Sequence, residues 1–290
     1  MNYYLKLARI HHYIKNVFIV LPLFFSGSLL DRTSLINCVF GFLGFAFISS
    51  AIYVINDIVD AESDRCHPKK MHRPIASGKV SVSSGIIFAS VLFALSMLTS
   101  YYSCRNNIYV IGYVLAYFVL NLLYTLKLKH YPIVDVAILA SGFLLRVLFG
   151  AGIIGVQISN WLYLTVVTVS FYLALGKRRN EIVCLGQSGD SRKSLQYYNY
   201  QFLDKMMYVF APLSIVFYSL WCIDPLTTAK IAGDYLMWTI PMVIILFMRY
   251  SYILEGTSDG DPTDVILHDI PICTIAAVYA LYLILIMYIL

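Results

Sequence analysis

The chain has 290 residues and a formal net charge of +5, with 60% hydrophobic and only 13% charged residues and a mean hydropathy of +0.74. Ordinary soluble domains carry about 25% charged residues, so this composition excludes one and marks an integral membrane protein. The six cysteines (Cys38, Cys66, Cys104, Cys184, Cys222, Cys273) form no CxxC pair and no Cys/His cluster, which argues against both a disulfide framework and a zinc site.

In chain order, residues 1–15 alternate Lys6, Arg9, His11, His12 and Lys15 with apolar and aromatic groups, and no small-residue cleavage site follows. That pattern predicts an interfacial amphipathic start, not a cleaved signal peptide. Apolar segments near 16–30, 35–56, 84–102, 107–126, 132–152, 159–176, 206–223, 233–248 and 271–290 approach the roughly 20 residues that cross a bilayer. They predict nine spans, those near 16, 159 and 233 being short. No repeat or linker divides residues 1–290, so an all-α, polytopic bundle forming a single domain is expected.

In this nine-span reading, seventeen lysines and arginines fall on one side and three (Arg32, Arg105, Lys230) on the other, with Arg146 inside a span. The positive-inside rule then puts the N-terminus and the charged loops in the cytoplasm and the C-terminus outside, in an inner (plasma) membrane. The long loops, near 58–83, 177–205 and 249–270, all lie on that cytoplasmic side, so the water-soluble chemistry is expected there.

The densest charge in the chain lies between Asn56 and Lys79. Asp57, Asp60 and Asp64 are spaced i, i+3, i+7, so a helix running through them puts three carboxylates on one face. Like charges that close repel, and Mg²⁺, usually held by one or two carboxylates plus phosphate oxygens, removes the repulsion. Lys69, Lys70, Arg73 and Lys79 could hold the rest of such a phosphate; the plainer reading is a solvated charged loop. Tyr124, Lys127, Lys129 and His130 at one span end, and Lys177, Arg178 and Arg179 at another, suit either phosphate binding or simple cytoplasmic anchoring. Asp135 and Arg146 fall inside one span, where a charge costs about 2.5–3.5 kcal/mol or more. Eleven residues place them about 16 Å apart along a helix, so each needs another partner. Arg146 is either a structural clamp or a substrate ligand. The six histidines show no metal-binding spacing, and most of the 24 tyrosines read as packing and interface residues.

The run Asn56-Asp57-Ile58-Val59-Asp60, with Asp64, His67-Pro68, Lys70 and Arg73-Pro74-Ile75-Ala76-Ser77-Gly78, resembles the first aspartate-rich motif of the UbiA superfamily of intramembrane prenyltransferases. Tyr13-Ile14-Lys15-Asn16, Tyr124 to His130, Gly142 to Arg146, Gly176 to Glu181 and Gly260-Asp261-Pro262-Thr263-Asp264 are similar to one branch, the polyprenyl-phosphate (decaprenyl-phosphate) phosphoribosyltransferases. A typical superfamily member has a second aspartate-rich motif after the sixth span. Here that loop opens with Lys177, Arg178 and Arg179, and its acids are the isolated Glu181, Asp190 and Asp204.

The resemblance implies a nine-helix UbiA-like bundle with a cytoplasm-facing polar cavity. It also implies Mg²⁺-dependent transfer of 5-phosphoribosyl from 5-phosphoribosyl 1-diphosphate to a polyprenyl phosphate lipid. Asp57, Asp60 and Asp64 are the implied catalytic metal ligands. Lys15, Asn56, Lys70, Arg73, Lys79, Tyr124, Lys127, Lys129, Arg146, Lys177, Arg178 and Glu181 are the implied substrate-binding residues. The membrane is the setting, no nucleic acid is implied, and homo-oligomerisation stays open. Two alternatives remain: a prenyltransferase joining a prenyl diphosphate to an aromatic or other small acceptor, and a lipid or ion transporter.

Overall fold

The computed structural model of the protein describes residues 3–66, 70–104, 107–185, 198–229, 233–255 and 268–289. His67, Pro68, Lys69, Arg105, Asp190, Arg192, Lys193, Lys230 and the stretch from Gly260 to Asp264 lie outside the described residues. Those described are helical, with no strand among them, and they divide into two compact units: Met1–Ile138 with Leu145–Gln157, and Leu139–Leu144 with Ile158–Leu290.

The first unit is built on α3 (Arg32–Val59), which Asp31 starts by accepting hydrogen bonds from the amides of Thr33 and Ser34. Its 28 residues rise about 42 Å, more than the roughly 30 Å of hydrocarbon in a bilayer. The helix therefore has length to carry its polar end clear of the apolar layer. Against α3 pack α5 (Val82–Ser103) and α6 (Ile111–Leu126). The α5 contact is close because small residues face each other: Ser96 Oγ donates to the Gly44 carbonyl (2.8 Å) and Ser103 Oγ to that of Asn37 (2.7 Å). A Cβ on Gly44 would strike the Ser100 hydroxyl. In lipid, where apolar surface alone gives helices little reason to associate, such packing and hydrogen bonding hold them together.

Before α3 come α1 (Tyr3–Ala8), a 3₁₀ segment (Ile10–Ile19) and the five-residue α2 (Leu21–Phe25). The span expected near 16–30 is thus short helical pieces. Pro22, with no amide hydrogen, opens α2, and Gly27 follows at φ +74°, a left-handed conformation that ends the helix. The 3₁₀ segment also contacts α7 (Val134–Ile154), where the Ile19 carbonyl lies against Gly150 and leaves no room for a Cβ. Phe45, Ile48, Val114, Tyr117, Phe149 and Ile153 form the centre of this unit's core.

The second unit contains α8 (Asn160–Leu185), α9 (Tyr200–Ile223), α10 (Pro225–Thr228), a 3₁₀ stretch (Gly233–Thr239) running into α11 (Ile240–Leu254), and α12 (Ile270–Tyr288). Asp269 opens α12 by accepting the Ile272 amide and two bonds from Arg249 (3.1 and 2.8 Å). Those bonds, the side-chain bond to Arg249 foremost, hold its carboxyl below the ordinary range.

Among the described residues, seven helices are long and apolar enough to cross a membrane: Arg32–Val59, Val82–Ser103, Ile108–Leu126, Val134–Ile154, Tyr200–Ile223, Tyr235–Leu254 and Ile270–Tyr288. They correspond to seven of the nine expected segments, and the chain is a multi-pass membrane protein. The segment near 159–176 forms the first part of α8. Its hydroxyl-bearing stretch, with Thr165, Thr168 and Ser170 bonded to their own helix, runs directly into Lys177, Arg178 and Arg179.

Candidate functional site: an ion-paired acidic end

Helix α3 delivers Asn56 and Asp57 in its last turn. Asp60 then caps it: its amide bonds to the Asn56 carbonyl (2.9 Å), and its own carbonyl accepts the Asp64 amide (2.8 Å). The chain coils straight on into α4 (Ala61–Cys66), which keeps Asp57 and Asp64 on one buried side, at 2% and 3% exposure, while Asp60 turns outward.

Each carboxylate meets a cation. Arg9 Nη2 donates to Asp57 Oδ1 at 2.5 Å. Arg73 Nη1 stands 3.2 Å from that same oxygen and 2.6 Å from Asp64 Oδ2. Lys129 Nζ donates to Asp60 Oδ1 at 2.5 Å, and Thr125 Oγ1 lies 3.4 Å from Asn56 Oδ1. The three-carboxylate cluster read from the spacing is therefore divided: Asp57 and Asp64 converge on one guanidinium nitrogen, and Asp60 faces a lysine. Among the described residues no group of three or more His, Cys, Asp or Glu side chains stands together ready for a metal ion. The reason is electrostatic, because an uncompensated buried carboxylate costs several kcal/mol and each of these has turned to a cation.

Arg9 is the residue that sequence reasoning passed over. It has φ 51° and ψ 52°, a left-handed backbone uncommon for a residue with a side chain. That turn separates α1 from the 3₁₀ segment and sends the guanidinium to Asp57, 4.9 Å from the Tyr53 ring centre. Ser50 Oγ holds the turn by donating to the Ala8 carbonyl (2.7 Å), with the Tyr13 hydroxyl 2.9 Å away. Nothing near position 9 announces a partner 48 residues distant.

Other expected site residues are placed differently. Lys70 and Lys15 are half-buried, as is Tyr124, while Lys127 and Lys79 are exposed; the Lys79 ammonium lies 5.2 Å from the Tyr3 ring centre. Arg146 is buried in the interior of the first unit. Its Nε donates to Asn16 Oδ1 (2.8 Å) and Nη2 to the hydroxyls of Tyr117 (3.0 Å) and Ser49 (3.2 Å), with the ring of Tyr117 centred 4.6 Å away. One guanidinium thereby ties the 3₁₀ segment, α3, α6 and α7 through side-chain oxygens. Asp135, wholly buried in the first turn of α7, accepts the Val136 amide at 2.8 Å, where the helix dipole favours a negative group.

In the second unit the basic run of α8 is largely occupied. Arg178, 1% exposed, pairs with Glu181 one turn on. Arg179 bonds to Asp204 (2.9 Å), to the Leu254 carbonyl (2.8 Å) and to the Tyr200 hydroxyl, joining α8 to α9 and to the end of α11. Gly176 sits where Leu254, Tyr250 and Met207 crowd. Lys177 is half-buried.

A sequence profile of the UbiA prenyltransferase family matches residues 19–268. The chain is 30% identical over 288 residues to the decaprenyl-phosphate phosphoribosyltransferase of Corynebacterium glutamicum, covering 98% of this chain and 86% of that protein. It is 33% identical over 236 residues to the enzyme of the same name from Mycolicibacterium smegmatis, covering 79% and 73%. Its fold matches the solved structure of a UbiA homolog from Archaeoglobus fulgidus bound to GPP and Mg²⁺, with a TM-score of 0.73, 19% identity, and 99% and 100% of the two chains covered.

Proposed function

Because the chain belongs to the UbiA prenyltransferase family, we propose that it transfers a 5-phosphoribosyl group from 5-phosphoribosyl 1-diphosphate to a polyprenyl phosphate of the decaprenyl-phosphate kind. In that reaction the bond from ribose C1 to the diphosphate oxygen breaks and diphosphate leaves with the electron pair. An oxygen of the lipid phosphate forms the new bond to C1. The acceptor is already anionic at neutral pH, so no strong general base is required. The main demand is to stabilise charge on the leaving group.

The observation that carries this reading is the gathering of six charged side chains from four separate stretches of chain (Arg9; Asp57, Asp60 and Asp64; Arg73; Lys129) at the acidic end of the first unit. Two carboxylates, Asp57 and Asp64, already aim oxygens at one cationic atom. Such hard oxygen donors fit Mg²⁺, which is commonly held by one or two carboxylates together with phosphate oxygens. Bound by Asp57, Asp60 and Asp64, Mg²⁺ would neutralise the departing diphosphate. Arg73, Lys129 and Lys70 hold phosphate oxygens through charge-assisted bonds, with Asn56 set between the acids and Thr125. Lys15, Lys79, Tyr124, Lys127 and Lys177 are assigned to the remaining phosphates. Arg146, Arg178 and Glu181 are assigned to holding helices in place.

We further place the protein in the inner membrane as one domain with nine crossings and a polar cavity open to the cytoplasm. The N-terminus and the acidic end face the cytoplasm and the C-terminus lies outside. A second reading, transfer of a prenyl group from its diphosphate to a small acceptor, uses the same acids. It is disfavoured because the stretch where a second aspartate-rich motif would stand opens with Lys177, Arg178 and Arg179 and carries only the isolated acids Glu181, Asp190 and Asp204. Purified protein is incubated with polyprenyl phosphate and labelled 5-phosphoribosyl 1-diphosphate, and separately with labelled prenyl diphosphate and small acceptors. Label from the ribose donor is expected in the lipid fraction; label entering product only from the prenyl donor would replace the first reading by the second.

A further inference from the structure

We propose that the acidic end is locked by its own cations, so that metal and diphosphate promote each other's binding by exchanging partners within it. The inference rests on the metal part of the proposed function and is independent of which diphosphate ester is the donor.

The three carboxylates are matched by three cations: Arg9 and Arg73 on Asp57, Arg73 on Asp64, Lys129 on Asp60. The Asp57 and Asp64 side chains are 3% and 4% exposed, whereas those of Arg9 and Arg73 are 19% and 25% exposed. The acids lie deep and the arginines reach them from nearer the surface. A metal ion arriving alone must draw the carboxylates away from these cations, leaving positive groups beside a new positive charge. A diphosphate arriving alone must draw off the cations, leaving buried carboxylates beside a new negative charge. The first step sets cations against the metal, and the second leaves buried carboxylates facing a diphosphate; both are unfavourable. When both arrive, the carboxylates take the metal and the cations take phosphate oxygens, and every charge keeps a partner. Coupling of this kind is reciprocal and amounts to about 5- to 150-fold in affinity.

The backbone at Arg9 keeps this a side-chain exchange. Its left-handed turn is fixed by the bond from Ser50 Oγ to the Ala8 carbonyl, and strained backbone held by its surroundings gathers at sites of this kind. The guanidinium can swing between Asp57 and a phosphate without moving α1.

The test measures each ligand alone, which avoids complexes of metal and diphosphate in solution. Mn²⁺ binding is followed by electron paramagnetic resonance, and binding of inorganic pyrophosphate by calorimetry in the presence of chelator. Both use full-length protein in detergent, with size-exclusion profiles matching the wild type. Arg9→Gln removes the nearer of the two guanidinium groups on Asp57, leaving Arg73 at 3.2 Å, and is expected to bind Mn²⁺ at least about fivefold more tightly than the wild type. Asp57→Asn releases Arg9, while Arg73 keeps Asp64, and is expected to bind metal-free pyrophosphate more tightly by a similar factor. The pair Lys129→Gln and Asp60→Asn carries the same two expectations should either first variant fail to fold. Either arm staying within twofold of the wild type, or weakening, overturns the lock. If both gains appear while ribose label never reaches lipid, the lock stands and the assigned donor is what fails.

Discussion

Arg73 offers the sharpest energetic test, because it serves two acids that are exposed differently from itself. Replacing it by Gln leaves Asp57 with Arg9 but deprives Asp64 of its 2.6 Å partner in a pocket where that side chain is 4% exposed. Removing one member of a buried pair costs about 3–5 kcal/mol, and the 25% exposure of Arg73 puts this case at the lower end of that range. Asp64→Asn is expected to be milder, about 1–2 kcal/mol, because Arg73 keeps Asp57 at 3.2 Å and the amide remains a hydrogen-bonding group. In the double variant the orphaned charge is gone, so its cost should approach that of Asp64→Asn alone. The cycle then gives a coupling of about 3 kcal/mol, the whole cost of Arg73→Gln. Unfolding of the four proteins in mixed micelles, followed by far-ultraviolet circular dichroism, measures it. If Arg73→Gln proves no more costly than Asp64→Asn, the acids are not held by this arginine and the electrostatic account of the site is wrong.

Asp57→Asn or Asp60→Asn should abolish transfer to lipid, a loss of at least about a hundredfold of the kind seen when charge stabilisation at a leaving group is removed, while each variant still accumulates in the membrane; full turnover by both would remove the metal from the mechanism. Gly150→Ala should destabilise by about 1–3 kcal/mol, since the added methyl meets the Ile19 carbonyl backbone and not a side chain that can step aside; an unchanged melting temperature would contradict the packing of α7 on the 3₁₀ segment. Arg179→Met should lower the melting temperature clearly, by about 2–3 kcal/mol of stability after allowing for the 30% exposure of Asp204, and should leave metal binding to the first unit unaltered; equal stability would show that α8, α9 and α11 do not depend on this guanidinium.

Much of the architecture was readable from composition and periodicity. Long apolar runs can be satisfied in lipid only as helices, so seven spans lie close to the expected segments. In the two expected segments outside these seven, local geometry acts together with hydropathy. Residues 16–30 are apolar enough to look like a span, yet Pro22 and the left-handed Gly27 divide them. The run near 159 continues as helix past its apolar end because Arg178 and Arg179 find partners within the second unit.

The chemistry of the site follows the same division. The order of residues alone determined that Asp57, Asp60 and Asp64 stand within two helical turns beside a basic stretch, because spacing along one helix is a local property. It likewise determined that Arg146 must find a polar partner inside the apolar layer. Which cation meets which acid was decided by tertiary structure alone. Arg9 and Lys129 lie 48 and 69 residues from the carboxylates they meet, and a charge's partner is set by how helices pack, a relation that no local pattern along the chain records.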